Sequence, residues 1–287
     1  MRYERNGGRV RLLIFGLGYT TGRLRAFLEP RGKRVVGTTR DGRDGTIAFT
    51  DRDRLAFEVG RATHILSSVP PVGDDDPVLA AYGDLLAISR AALSYLSSTG
   101  VYGDAGGAWV DEGAPIGTGR RTARAAADAA WTAMGARVFR LPGIYGPGRS
   151  PLTRVAARQA HRVDLPGQVF SRVHVDDIVS GVAAGLDAPP GAYNLADDLP
   201  CDQNAVIEHA ARLLGLPPPP FVPLDSLSPM ARGFYAENRR VANGRAKRVL
   251  NWRLRYPDYR LGLRALNAMT SPAIASAAPA AASSDQR

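Results

Sequence analysis

The chain has 287 residues, 45% of them hydrophobic, which supports one large core or a core with a smaller attached lobe, and no run approaches the roughly 18 continuous apolar residues of a membrane span. The single cysteine, Cys201, excludes an intrachain disulfide, and the scattered histidines (His64, His161, His174, His209) lack metal-ligand spacing, so no metal is expected. The net charge of +10 is almost all arginine, the only lysines being Lys33 and Lys247; with no basic run and no interleaved aromatics it reads as an arginine-favouring composition, and neither nucleic acid nor membrane is expected as a partner.

In chain order, strand and helix signals alternate. The apolar run 10–15 (VRLLIF) flows into a glycine loop and has no cleavage site, so it reads as a first strand rather than a signal peptide, and a cytoplasmic location is expected. A helix follows over 23–29, then β-like runs at 34–39 and 63–69, a helical pattern over 78–93 and a fourth strand in YLSST (95–99). Residues 120–134 are Ala-rich with Ala123, Ala127, Ala130, Trp131 and Met134 on one face, and 136–141 form a fifth strand. Such alternation predicts an α/β fold with a doubly wound parallel sheet. After residue 142 glycine and proline become frequent, PPPPF at 217–221 is a rigid connection, and the low-complexity end predicts a disordered tail over 269–287.

FGLGYTTGRL (15–24) lies between the first strand and a helix. Gly16 permits the tight turn, Gly18 lets a pyrophosphate approach the backbone, and the helix N-terminus at Tyr19, Thr20 and Thr21 offers N–H groups. The usual third glycine would fall at 21; that residue is Thr21, and Gly22 comes one place late. A dinucleotide site usually has an acid about 20 residues past the loop for the ribose 2′-OH. Here the second strand ends Thr38, Thr39, Arg40, which suits a 2′-phosphate and favours NADP, while Asp41 keeps NAD open. Ser67, Ser68, Val69 and Pro70 end the third strand and are expected beside the adenosine half. Pro142 ends the fifth and is expected to border the cofactor as well.

Several segments, in order, resemble the extended short-chain dehydrogenase/reductases, also called NAD-dependent epimerase/dehydratases. They are FGLGYTTG, YLSSTGVYGD, WVDEGAPIG (109–117), RLPGIYGPGR (140–149), RVHVDDIVSGV (172–182) and GAYNLADDLPCD (191–202), with 240–263 as the C-terminal substrate side. The resemblance implies a Rossmann domain over 9–142 plus 173–198 and a smaller substrate-side lobe over 143–172 plus 199–268. It implies NAD(P)-dependent oxidoreductase or epimerase-like chemistry on a small hydroxyl or carbonyl substrate, a nucleotide sugar being one candidate, and leaves room for a homodimer. By the family pattern Ser98, or its neighbour Thr99, carries the substrate-facing hydroxyl.

The sequence departs from that pattern at the general acid. Counting from Asp111-Glu112, the family's Tyr-x-x-x-Lys pair falls on Thr122 and Ala126, and the residues four before Lys33 and Lys247 are Glu29 and Asn243, so no such pair exists. Tyr102 and Tyr145 are alternative proton donors or packing residues, His174 and Asp176-Asp177 read as a helix cap, Asp111 and Glu112 as turn residues, and Asp74–Asp76 as an N-cap. Arg120, Arg121 and Arg124 read first as a solvated helix face; the alternative is that one of them replaces the lysine's charge, and none serves as a proton donor near neutral pH. An enzyme and a cofactor-binding protein without turnover therefore both remain open.

Overall fold

A computed structural model describes residues 10–270. Strand β1 (Arg11–Phe15) leads into α1 (Tyr19–Leu28), followed by β2 (Arg34–Thr39), β3 (Ile47–Ala48), α2 (Arg52–Arg61), β4 (His64–Ser67) and α3 (Pro77–Ile88). Then come β5 (Ala92–Ser98), β6 (Trp109–Val110), α4 (Thr122–Ala133), β7 (Arg137–Leu141), β8 (Gly143–Tyr145), α5 (Pro151–Ala156), β9 (Arg172–His174), α6 (Val175–Gly185) and β10 (Gly191–Asn194). The chain ends with α7 (Gln203–Leu213), α8 (Pro229–Tyr235), β11 (Arg240–Val241), α9 (Gly244–Leu250) and α10 (Tyr259–Thr270). Seven strands form one sheet in the order β10-β7-β5-β4-β1-β2-β3, and every pair is parallel.

The strand sequences explain why both faces are covered. RLLIF and HILS are buried along almost their whole length, as expected for a sheet with helices on either side. Successive side chains point to opposite faces. Leu12 and Ile14 therefore enter one core with Leu24, Phe139, Ile178 and Trp252, while Leu13 and Phe15 enter another with Leu55, Tyr82, Tyr95 and Trp131. A smaller lobe packs Leu152, Val155, Val206, Ile207, Tyr259 and Leu263 from α5, α7 and α10. Asp76 caps α3 by accepting from Val78 N and Leu79 N, and its other oxygen accepts from the Trp131 indole at 2.9 Å.

Several expected boundaries shift. The helix expected over 78–93 stops at Ile88, since Ala92 and Leu93 already pair in β5. Residues 244–252, expected in the small lobe, send Ala246, Leu250 and Trp252 into the larger core beside α6 and β10. Residues 269 and 270 of the expected tail belong to α10; 271–287 lie outside the described residues. The buried face of α4 is Ala125, Ala127, Asp128 and Trp131, so Ala123, Ala130 and Met134 are not its centre.

Asp128 is the unexpected member, fully buried and paired with Arg140 of β7 at 2.7 Å and 3.0 Å. Ser97 of β5 donates to the same carboxylate at 2.6 Å. Arg140 also donates to the Tyr102 hydroxyl, which in turn donates to Asn194 of β10. Burial opposes the charge on Arg140, but the hydrogen bond and charge of Asp128 hold its pKa above the ordinary arginine value. An Asp128→Ala variant is expected to lose about 3–5 kcal/mol of stability, because a buried guanidinium is left without its counter-charge. Urea denaturation checks this, and a loss under about 1 kcal/mol, the scale of a surface pair, would contradict it.

Candidate functional site

Strand order reverses between β1 and β4, and in an open parallel sheet the ligand crevice lies at the carboxyl ends of the strands at such a point. A cavity of about 510 Å³ opens there. Of the residues anticipated from sequence, Gly18, Tyr19, Thr20, Thr21, Ser68, Ser98, Thr99 and Pro142 line it.

The glycine loop is built by Thr21. Its hydroxyl accepts from Gly18 N at 2.9 Å and donates to Gly16 O at 2.8 Å. Gly16 O also accepts from Ser68 Oγ at 2.6 Å, and Gly16 N donates to Thr38 Oγ1 at 3.0 Å. Gly16 has φ +85°, and a Cβ there would come within 3.0 Å of Ser68 Oγ and 3.1 Å of Val69. Gly18 faces open space, and no side chain caps the start of α1. The donor set and the open cradle fit a pyrophosphate. Thr21 thus replaces the third glycine with a clasp, and Gly22, with nothing near it, is not part of the lining.

Other anticipated residues stand elsewhere. Thr38 is buried behind the loop, and Thr39 bonds Thr46, Asp41 and Gly42 N, so both hydroxyls have work inside the fold. Arg40 is exposed just past β2 and has no ion pair among the described residues. Ser67 is fully buried with an unpartnered Oγ, and Val69 and Pro70 lie outside the lining. Thr122 and Ala126 are exposed and also outside it; α4 instead presents Arg124, with Arg120 and Arg121 just before its first residue. The cavity side of this helix start carries arginine.

Neither alternative tyrosine faces the cavity. Tyr102 is buried in the Arg140 network, where burial raises its pKa. Tyr145 donates to Asp258 O, packs edge-on to His174, and burial raises its pKa further. His174 caps α6 by accepting from Asp176 N, and burial pushes its pKa down to about 4. Glu112 accepts from Asn194 N and Asp111 from Gly113 N, so they form no catalytic pair.

Sequence reasoning missed the convergence of charge. Arg120, Arg121, Arg124, Arg149, Arg172 and Arg239 all line the cavity, with Glu237 its one carboxylate among the described residues. Glu237 pairs with Arg239 at 3.0 Å and Arg120 at 3.7 Å. Arg172 donates to Phe170 O, Cys201 Sγ and Gln203. A second cavity of about 430 Å³ adjoins the first through Gly143, Ile144, Arg149, Arg172 and Gln203, and reaches Val206, Ile207, Tyr259 and Leu263 of the small lobe. Among the described residues no group of His, Cys, Asp or Glu could hold a metal ion, and no helix is long and apolar enough to cross a membrane.

A Rossmann-type sheet, a clasped glycine loop and a hydroxyl-bearing β5 end give this chain the fold of the extended short-chain dehydrogenase/reductases. It belongs to one family with a conserved protein of unknown function from Silicibacter pomeroyi, whose structure matches at TM-score 0.84 with 45% identity over 91% of this chain and 99% of that one. A human epimerase family protein solved with NADPH matches at TM-score 0.73 with 16% identity, covering 90% and 99% of the two chains. In sequence, Escherichia coli protein YeeZ is 29% identical over 86% of this chain and 97% of its own length. A Streptomyces 3-diazoavenalumate denitrifying reductase is 32% identical over 138 residues, 44% of this chain; the match spans 45% of that reductase's length. No family model matches the sequence.

Behind the cavity wall, Asp197 is buried with Oδ2 unpartnered, and burial pushes its pKa up to about 8 against the pull of Arg172. The folded chain then holds a proton that the unfolded chain releases near pH 4, so this contribution to stability is full below about pH 4 and is lost as pH rises through 8. Asp197→Asn is expected to match the parent near pH 4 and to exceed it by about 1–3 kcal/mol at pH 8 in denaturant unfolding. Equal stability of the two at both pH values would contradict the assignment.

Proposed function

We propose that the protein binds a nicotinamide dinucleotide, NADP(H) in preference to NAD(H), and moves hydride between it and a small substrate bearing a hydroxyl or carbonyl group. The observation that carries this reading is the Thr21 clasp, which holds Gly16 and Gly18 open at the start of α1 on the same cavity that receives Ser98. The NADPH-bound human structure and the Streptomyces reductase support it.

The start of α1 would hold the pyrophosphate, Ser68 would border the adenosine half, and Arg40 would reach the 2′-phosphate. When bound, the dinucleotide supplies the hydride acceptor or donor. The chain's own part is orientation and charge. Ser98 Oγ accepts from Gly100 N at 3.1 Å, which leaves its O–H free to donate to a substrate oxygen. Arg124 donates to the Tyr95 hydroxyl at 2.8 Å and would supply the positive charge that the family's lysine supplies. Guanidinium groups beside that oxygen stabilise negative charge as it develops and donate no proton near neutral pH. The proton then comes from water or from the substrate, at a rate cost of about 10²–10⁴ relative to a positioned acid.

One observation favours a second reading, a binding protein without turnover. Among the described residues Tyr19 is the one tyrosine lining the first cavity; its hydroxyl already donates to Pro147 O, and burial raises its pKa.

Fluorescence titration with NADPH and NADH, followed by carbonyl and nucleotide-sugar substrates, separates these readings. NADPH is expected to bind more tightly, and Arg40→Ala to weaken NADPH by about tenfold while leaving NADH unchanged. Equal loss for both cofactors would remove Arg40 from the 2′-phosphate, absence of binding would end both readings, and tight binding without turnover would favour the second.

A further inference from the structure

The cavity holds more positive charge than the fold itself uses. Around the start of α4, Arg120, Arg121, Arg124 and Arg239 line the cavity, and its one described carboxylate, Glu237, is taken by Arg120 and Arg239. Arg124 is held by neutral oxygens, the Tyr95 hydroxyl and Leu96 O. The Arg121 guanidinium has no hydrogen bond or ion pair among the described residues and lies 5.7 Å from the centre of the Phe234 ring. Burial and the repulsion of Arg120, Arg124 and Arg239 oppose its charge, and the attraction of Glu237 does not offset them. A half-buried guanidinium held among like charges is stabilised by an anion, which it grips through a planar fork of donors.

The Arg121 stem packs against the turn after β5. Its Cδ lies 2.5 Å from where a Gly100 Cβ would sit, and Ser98 Oγ lies 3.3 Å from that same point, so the arginine stem and the hydroxyl flank one turn. This is the β5 side of the crevice. The start of α1, where a dinucleotide's phosphates would lie, follows β1, two strands away. The anion that Arg121 lacks is therefore not the pyrophosphate.

Resting on the cofactor reading above, we propose that Arg121 is the ion-pairing partner of a negatively charged group on the substrate, a carboxylate or a phosphate, seated beside Ser98. The adjoining cavity, walled by Ile144, Val206, Ile207, Tyr259 and Leu263, takes the apolar body of that substrate. Arg121 is a specificity-determining residue: it selects anionic substrates and sets the reacting oxygen against Ser98.

The test is calorimetric titration of the full chain at low salt, with and without NADPH, using benzoate, phenyl phosphate and the neutral benzamide as probes. At least one anion is expected to bind at least about tenfold more tightly than benzamide, and to weaken by about tenfold or more as salt is raised. Benzoate alone marks a carboxylate site and phenyl phosphate alone a phosphate site. Arg121→Gln is expected to abolish the preference for the anion while NADPH affinity changes by less than about twofold. Arg121→Lys, which keeps the charge and loses the fork, is expected to fall between the two. If the Gln variant melts early, the Lys variant and the salt dependence of the parent decide. Benzamide binding as well as the anions, unchanged anion binding in Arg121→Gln, or displacement of NADPH by the anion would each overturn the proposal. Failure of NADPH to bind would instead count against the cofactor reading, while the titrations without NADPH still judge Arg121.

Discussion

The Arg140–Asp128 pair is the constraint around which the site is assembled. Two charges at 5% exposure or less are expensive to remove from water, and their attraction offsets that cost only where the remaining donors and acceptors are satisfied. Here Asp128 accepts two guanidinium bonds and the Ser97 hydroxyl, and Arg140 donates onward to Tyr102, which donates to Asn194. One network therefore joins β5, α4, β7, β10 and the turn after β5. Ser98 is the next residue along that strand. Its position in the cavity is set by the bond its neighbour makes on the opposite face of the sheet.

The same network explains the electrostatics of the cavity. Asp128 and Glu112 are engaged in holding elements together, the first with Arg140 and the second on Asn194 N. Glu237 holds the segment before β11 through Arg239 and Arg120. The acidic groups near the crevice thus have structural partners, and the arginines that face it, Arg121, Arg124 and Arg149, have no carboxylate partner among the described residues. A cleft lined by one sign of charge raises the local concentration of oppositely charged ligands before any contact forms.

Much of this was legible in the sequence, and the misses have physical causes. The alternation of strand and helix, the glycine loop and the hydroxyls ending β5 carry the fold, because a buried parallel sheet demands continuous apolar strands and a phosphate turn demands glycine. Thr21 was visible as a departure from the glycine pattern, but only the fold shows its hydroxyl bonding both Gly18 N and Gly16 O. The register of α4 failed because alanine fills both sides of an Ala-rich helix, and the apolar count could not see that Asp128 belongs to the core. Asp128 itself was the available signal: an acid in an alanine run, twelve residues before an arginine inside an apolar strand. The arginines look evenly spread along the chain because Arg121, Arg172 and Arg239 come from segments far apart in sequence; convergence is a property of the topology.

The sequence carries no Tyr-x-x-x-Lys pair, and the environments of the buried tyrosines are unlike that of a tyrosine general acid. A tyrosine general acid is useful when a neighbouring cation brings its pKa down toward neutrality and its hydroxyl faces the reacting oxygen. In this chain the buried tyrosines do the reverse: Tyr95, Tyr102 and Tyr145 are enclosed, and burial raises the pKa of each, Tyr95 to about 12. The position beside Ser98 is given to permanent positive charge instead. Guanidinium groups stabilise an oxyanion without protonating it, so on the proposed reading any proton the substrate oxygen takes up would come from water or from the substrate itself.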